Sequence, residues 1–443
     1  MAQVHLGINK ANPKETVEWD STSVINGHMI IVGGSGAGKT HQIRNISGQL
    51  SSQGLRNIIF DPHGDIETDP RFTSVVEFSE ISPYGINPLI INPSPIYGGV
   101  RKRMNGFIKT INKYSESKLD ERQEAALRYS LMELYALHGF DFTDHRTWGH
   151  DGKRIPTLDD LDLFLSRKLK GFFFGHMRNV SEMFDKLAEG LLDLRRLKSC
   201  EEMDDPAKER PECDTVKHLQ QDLIRAFSEC VGTIRGDEVD QYVRYGSMEV
   251  IKSLYDRVQN MKHFGVFKPV PPPFDDSKPI WRYDMRNLYV EEQGYLVELT
   301  LEQIFADAIQ RGLKQNDVDT LIFIDEAQRF LSPEDQDHIV SVIFREIRKF
   351  GVGLALATQN CSAFPTDIII NSGTKMILGV DEAYQDLLAK TLGVERVRFI
   401  QPQKNALIQI KTKKTSVGSR FVDTLFRMPP AESLSQVSST NTL

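Results

Sequence analysis

Eight consecutive residues, Gly33-Gly34-Ser35-Gly36-Ala37-Gly38-Lys39-Thr40, fit the pattern G-x-x-x-x-G-K-[ST]. Glycines let a backbone curl until its N–H groups point inward at phosphate oxygens. A helix start directly after such a loop adds the positive end of its dipole. In this pattern the lysine reaches β- and γ-phosphates and the hydroxyl binds Mg²⁺. Gly34, Ser35, Gly36, Ala37, Gly38, Lys39, Thr40 and His41 are therefore the candidate phosphate-binding residues.

Two acids, Asp325 and Glu326, follow the apolar run Leu321-Ile322-Phe323-Ile324. Ligands of parallel sheets bind at the C-terminal ends of strands. There Asp325 suits Mg²⁺ coordination, directly or through water, and Glu326 suits polarising an attacking water. A solvated strand end would also account for two adjacent acids. Gln359 closes another apolar run, Leu354 to Ala357 plus Thr358, where an amide can report a γ-phosphate; a plain strand-to-loop transition gives the same pattern. Arg345 and Arg348 lie in the basic stretch before that run. A helix dipole alone favours cations there. Their functional reading is an arginine finger supplied to a neighbouring subunit. In Asp61-Pro62-His63-Gly64-Asp65, either His63 or Asp65 is placed to touch metal, water or the sensor, and a plain turn explains the stretch equally well.

These residues need elements to hold them. His28 to Val32 reads as a buried strand, and Thr40 to Gln53 as a helix with Ile43, Ile46 and Leu50 on one face and Gly54 as its stop. Asn57 to Phe60 is a second buried strand and Val75 to Phe78 a third. Strand, helix, strand at this spacing is a βαβ unit and predicts a parallel sheet. Residues 96–275 are mostly helical in pattern. Leu127, Leu131 and Leu134 mark one helix, Thr157 caps another, 201–212 reads as an exposed loop, and Pro271 to Pro273 marks the boundary. Residues 276–428 return to strand and helix, with predicted strands at Leu321 to Ile324, Leu354 to Ala357 and Lys375 to Leu378. The predicted organisation is an α/β core in two parts, 1–95 and 276–428, split by a helical insertion at 96–275 and followed by a flexible tail at 429–443.

Composition bounds the partners. The 54 basic and 61 acidic residues leave a net charge of −7, which excludes a protein that coats nucleic acid with its whole surface. A local basic pore remains compatible, and Arg101-Lys102-Arg103 with Lys109 and Lys113 is the cluster to nominate for it, though a solvated helix face accounts for it as well. No apolar run approaches the roughly 18–20 residues of a membrane helix. Cys200, Cys213, Cys230 and Cys361 are widely spaced and form no C-x-x-C pair. That spacing argues against a zinc site or disulfide framework and suits a reducing cytoplasm.

Taken together, the P-loop with its leading strand His28 to Val32, Asp61-Pro62-His63-Gly64-Asp65, Gly85-Ile86-Asn87-Pro88-Leu89, Ile324 to Leu331, Arg348-Lys349-Phe350-Gly351, Ala357-Thr358-Gln359 and Asn371 to Lys375 resemble the HerA/FtsK family of P-loop ATPases, in its HerA-like branch. The resemblance implies a RecA-like core with the additional strand and catalytic glutamate of that class. It implies a hexameric ring holding ATP and Mg²⁺ between subunits. Such rings pump double-stranded DNA as translocases or helicases; secretion and conjugation relatives energise macromolecular transfer. By matching position, Lys39 and Thr40 would bind phosphate and Mg²⁺, Asp325 would hold Mg²⁺, Glu326 would be the catalytic carboxylate and Gln359 the sensor. Arg348 would be the trans finger, with Arg345 the second choice. About thirty residues precede the P-loop, fewer than the N-terminal barrel of HerA helicases needs, so a partner nuclease or other effector is expected to dock elsewhere. HerA-like ATPases without that barrel resemble components of anti-phage systems. An ATP-gated scaffold that assembles an effector is the non-motor alternative.

Overall fold

Met29–Val32 (β3) is buried at every position, as are Thr320–Ile324 (β7) and Val352–Thr358 (β8). Continuous apolar runs of this kind belong to parallel strands covered on both faces. The computed structural model describes residues 2–96, 98–114, 117–174, 189–195, 213–232, 244–314, 318–331, 333, 338–394, 397, 400–413 and 422–428. The predicted loop at 201–212, the tail at 429–443 and Cys200 fall outside them. The chain divides into two compact units, one made of Met1–Asn87 with Phe264–Leu443 and the other of Pro88–His263.

The first unit is built on an 11-stranded sheet. Its other strands are Gln3–Asn9 (β1), Thr16–Asp20 (β2), Arg56–Asp61 (β4), Thr73–Glu77 (β5), Ile280–Asp284 (β6), Thr374–Ile377 (β9), Asn405–Ile410 (β10) and Val422–Arg427 (β11). The order is β2-β1-β11-β10-β9-β3-β8-β7-β4-β6-β5. From β9 to β5 every neighbouring pair is parallel. From β2 to β9 every pair is antiparallel. The predicted parallel sheet is thus half of a mixed one. The antiparallel half obeys a different code: in β1, Val4 and Leu6 are buried while Gln3 and His5 are exposed, the period-two alternation of a strand covered on one face.

The helix Lys39–Ser52 binds the two halves together. Gln49 exchanges two hydrogen bonds with the backbone of His5, at 2.8 and 2.9 Å, and Gln53 does the same with Gln3, at 2.9 and 2.6 Å. These amides, one helical turn apart, pair backbone groups of β1 that its short pairing with β11 leaves over. Pro271 to Pro273 precede Phe274, which stacks on Trp281 of β6 at 5.0 Å, so this stretch packs within the first unit.

Among the described residues of the second unit, the longer helices are Val100–Tyr114, Glu121–Leu137, Leu158–Phe174, Cys213–Gly232 and Met248–His263. Asp120 and Gln123 form a capping box at Glu121–Leu137. Thr157 and Asp160 exchange bonds at the start of Leu158–Phe174, as the sequence predicts (Thr157 N–H to Asp160 Oδ2, 2.9 Å). Lys168 is buried, bonded to Glu133 at 2.6 Å and lying over the Tyr245 ring at 4.5 Å.

Candidate functional site

The P-loop leaves β3 at its C-terminal end. Gly33 N–H donates to Thr358 O at 3.1 Å and Gly34 N–H to Gly379 O at 2.8 Å, so the loop hangs between β8 and β9. Gly38 takes φ +105°, a left-handed value that opens the helix Lys39–Ser52 and that a side chain would strain. A Cβ on Gly33 would stand 3.1 Å from Ala37 and Leu378, so a larger residue there would require those neighbours to shift by a few tenths of an ångström.

The strand order does the assembling. β8 lies between β3 and β7, pairing Val32 with Thr358 on one side and Ile324 with Leu356 on the other. Residues that follow β3, β7 and β8 therefore meet at one edge. Lys39 Nζ donates to Gly33 O at 3.0 Å and lies 3.5 Å from Glu326 Oε1. Gln359 Nε2 donates to that same Oε1 at 2.9 Å. Gln328 Nε2 donates to the other oxygen, Oε2, and Gln328 Oε1 accepts from the Thr358 hydroxyl at 2.7 Å. Glu326 itself has φ +49°, unusual for a residue with a side chain, and strain of this kind gathers at active sites.

Electrostatics separates the two acids. Burial pushes Glu326 up, but the amides of Gln359 and Gln328 and the Lys39 ammonium outweigh it and hold the carboxyl below its ordinary range. Asp325 is only 3% exposed. Burial, with the adjacent Glu326 charge, pushes it up to about 7. An ionised Asp325 is thus costly until a cation compensates it. That donor chemistry fits Mg²⁺, an oxygen-seeking ion held by one or two carboxylates together with substrate phosphates. Among the described residues there is no group of three or more His, Cys, Asp or Glu that could hold a metal ion.

Other candidates stand elsewhere. His63 Nε2 meets Arg329 at 3.1 Å, and Asp65 is exposed. It is Asp61 that organises this turn: its fully buried carboxylate accepts from Gly64 N–H at 2.7 Å and Ile66 N–H at 3.0 Å. Arg348 is exposed in the one-turn segment Ile347–Phe350, ahead of β8, and so lies at the opposite edge of the sheet from its own P-loop. Seven residues of β8 set that distance at about 20 Å. Arg345 is 3.2 Å from Asp367. His28, on the same far edge, is buried, stacks on Phe344 at 4.5 Å and accepts from Leu354 N–H. Burial, helped by the Arg348 charge, lowers its pKa to about 3, which keeps it neutral. In the second unit, Arg101, Lys102, Lys109 and Lys113 are exposed along Val100–Tyr114, and Lys102 Nζ donates to Ile96 O at 2.7 Å. Gln328 and Thr358 were not legible as site residues; the only signal was their adjacency to Glu326 and Gln359.

A strand inserted between the P-loop strand and the acidic strand, with a glutamate beside the aspartate, defines the additional-strand, catalytic-glutamate class of RecA-like P-loop NTPases. Residues 4–148 match the family model described as the central domain of helicase HerA. Among solved structures it is similar to VirB4 of Thermoanaerobacter pseudethanolicus, with 14% identity and a TM-score of 0.59 over 98% of each chain. It also matches the bacterial conjugative coupling protein TrwB, with 10% identity, a TM-score of 0.45 and coverage of 98% of this chain and 87% of that one. No curated protein matches by sequence. No helix among the described residues is long and apolar enough to cross a membrane.

Proposed function

We propose that this chain hydrolyses ATP as a subunit of a ring-shaped motor that moves along double-stranded DNA beside an effector such as a nuclease. The observation that carries the hydrolytic part is the meeting of Lys39, Gln359 and Gln328 on the Glu326 carboxylate. In this reading the phosphates of ATP lie in the P-loop, against backbone N–H groups between Ser35 and His41. Lys39 exchanges its contacts with Gly33 O, Gly34 O and Glu326 for phosphate oxygens. Glu326, held ionised, orients a water and takes its proton as the water oxygen bonds to the γ-phosphorus and the bridge to ADP breaks. Gln359 touches both the carboxylate and the place where that water stands. Thr40 and Asp325 would hold Mg²⁺, which supplies charge neutralisation on the phosphates. Arg348, too far from its own P-loop, serves the site of the next subunit.

The motor part is tested by the ATPase rate with and without linear duplex DNA, at low and moderate salt, on the assembled species with its effector present. Backbone-directed binding makes the affinity fall with salt at about −0.9 log units per log unit for each phosphate contacted, with little dependence on sequence. Replacing Arg101 and Arg103 with alanine tests the nominated contacts. Stimulation by DNA is the expected result. A flat response under all these conditions would replace the motor by an ATP-gated scaffold, which needs nucleotide and a partner but no track.

A further inference from the structure

Between the helix Ile339–Glu346 and β8 the chain turns back on itself, and Arg348 stands in that turn. The apolar side chains of Ile347 and Phe350 are buried and seat it, and Gly351 reverses the chain at φ +77°. Backbone bonds tie it to its surroundings: Asp319 N–H donates to Gly351 O at 2.8 Å and Lys314 N–H to Lys349 O at 2.9 Å. An exposed arginine has a long stem with many rotamers. Where its head can reach is therefore set by where this backbone sits.

One side chain holds both flanks of the turn. The His28 ring stacks on Phe344, ahead of the turn, with centroids 4.5 Å apart and planes 23° from parallel. Its Nδ1 accepts from Leu354 N–H, beyond the turn, at 3.2 Å. The stretch from Phe344 to Leu354 is thereby closed on a single imidazole, with Arg348 inside it. The imidazole is itself fixed. His28 N–H donates to Asn26 Oδ1 at 3.1 Å, and His28 O accepts from the Gly373 and Thr374 N–H groups, both at 3.1 Å.

Packing alone does not account for an imidazole here. With Nδ1 accepting, the proton of the neutral ring lies on Nε2. That N–H is buried with no hydrogen-bond partner among the described residues. An unpaired buried donor destabilises a fold, and a phenylalanine would stack without that cost. What the imidazole adds is the acceptor for Leu354 N–H, which pins the far flank. Burial and the nearby Arg348 charge keep the ring neutral, so Nδ1 stays an acceptor.

We propose that His28 is a positioning residue for Arg348: by pinning both flanks of its turn to the start of β3, it sets the reach of the guanidinium toward the ATP of the adjoining subunit. The inference rests on the reading above in which Arg348 serves the next subunit. The same strand β3 leads into its own subunit's P-loop, so a test must separate a role at that P-loop from a role at the neighbour's.

Steady-state ATPase kinetics of the assembled full chain, combined with subunit mixing, make that separation. His28→Phe keeps a stacking face and loses the acceptor. Its kcat should fall by about tenfold to 10²-fold, the scale of a small misplacement, while KM and the affinity for Mg-ADP stay within about twofold of wild type. Mixed with Glu326→Gln subunits, His28→Phe subunits should regain partial activity, because their intact Glu326 then meets a well-placed Arg348. Mixed with Arg348→Ala subunits they should regain none, because no interface then holds a well-placed arginine. Arg348→Ala mixed with Glu326→Gln is the reference. Failure of that reference to recover, in rings shown by mass spectrometry to be mixed, would overturn the trans reading and this inference with it. With the reference active, recovery of His28→Phe by Arg348→Ala, or by neither partner, would overturn this inference alone. So would an unchanged kcat in His28→Phe. Phe344→Leu removes the stack from the other side and leaves β3 untouched. It should be rescued by Glu326→Gln and not by Arg348→Ala, and the opposite pattern would overturn the proposal even where His28→Phe fails to assemble.

Discussion

The two ends of the parallel strands carry opposite kinds of charge chemistry. At the C-terminal end, the buried Lys39, Asp325 and Glu326 meet the exposed Gln359, brought together from the segments that follow β3, β7 and β8, and Glu326 is held in a strained backbone conformation. At the N-terminal end, His28 is buried but neutral, and Arg348 stands exposed in a single turn. The first end has the pre-organisation that phosphoryl chemistry asks of a protein. The second presents an exposed guanidinium. About 20 Å of sheet separates the two ends, and this separation is what supports the proposal that Arg348 serves a neighbouring subunit's site and not its own.

The largest expected effect tests that division of labour. Arg348→Ala should lower turnover by about 10³–10⁵-fold, the usual loss for a finger. Mixing Arg348→Ala subunits with inactive Glu326→Gln subunits should restore partial activity, because some interfaces then hold one intact copy of each. No recovery in rings shown by mass spectrometry to be mixed would assign Arg348 a role within its own subunit. Repeating the mixture with Arg345→Ala distinguishes the two arginines; Arg345, beside Asp367, is expected to give the smaller loss.

A smaller effect sharpens the picture of the cluster. Gln328→Ala removes one of the two amides that hold Glu326, and a hydrogen bond to a charged group is worth about 1.5–3 kcal/mol. Turnover should fall about tenfold while nucleotide affinity stays. Because that amide helps to lower the Glu326 pKa, the acid limb of the pH–rate profile should also move to higher pH. An unshifted limb would make Gln328 a spectator.

How much of this was legible follows from the range of each signal. The P-loop, the acidic pair and Gln359 are local: each is a short apolar strand ending in residues whose types announce their chemistry. Gln328 and Thr358 matter only because β8 lies beside β7, which no local pattern reveals. The same holds for Asp61, whose carboxylate closes a turn through backbone groups three and five residues on, whereas His63 and Asp65 drew attention by residue type. The antiparallel half escaped because β1 alternates instead of running apolar and because β11 pairs with β1, some four hundred residues earlier.

The smallest effect is thermodynamic. Asp325, pushed up to about 7, keeps in the folded state a proton that the unfolded chain loses near pH 4. Its contribution to stability therefore falls as pH rises from about 4 to 7, by on the order of a few kcal/mol, and is level above that. Asp325→Asn should remove this decline, seen as a melting temperature that is higher than the wild type's at pH 8 and converges with it at low pH. Mg²⁺ with ADP should raise the wild-type melting temperature more than that of the variant. A wild-type profile flat across the window would mean that Asp325 is already compensated.

The most direct measurement compares Glu326→Gln with Lys39→Ala for nucleotide retention and turnover in the same assay. The arrangement of Lys39, Gln359 and Gln328 around one carboxylate predicts that Glu326→Gln keeps ATP bound and loses turnover by about 10²–10⁴-fold, whereas Lys39→Ala loses hydrolysis and binds ATP only weakly. Near-normal turnover in Glu326→Gln would contradict the assignment of that carboxylate as the group that activates water.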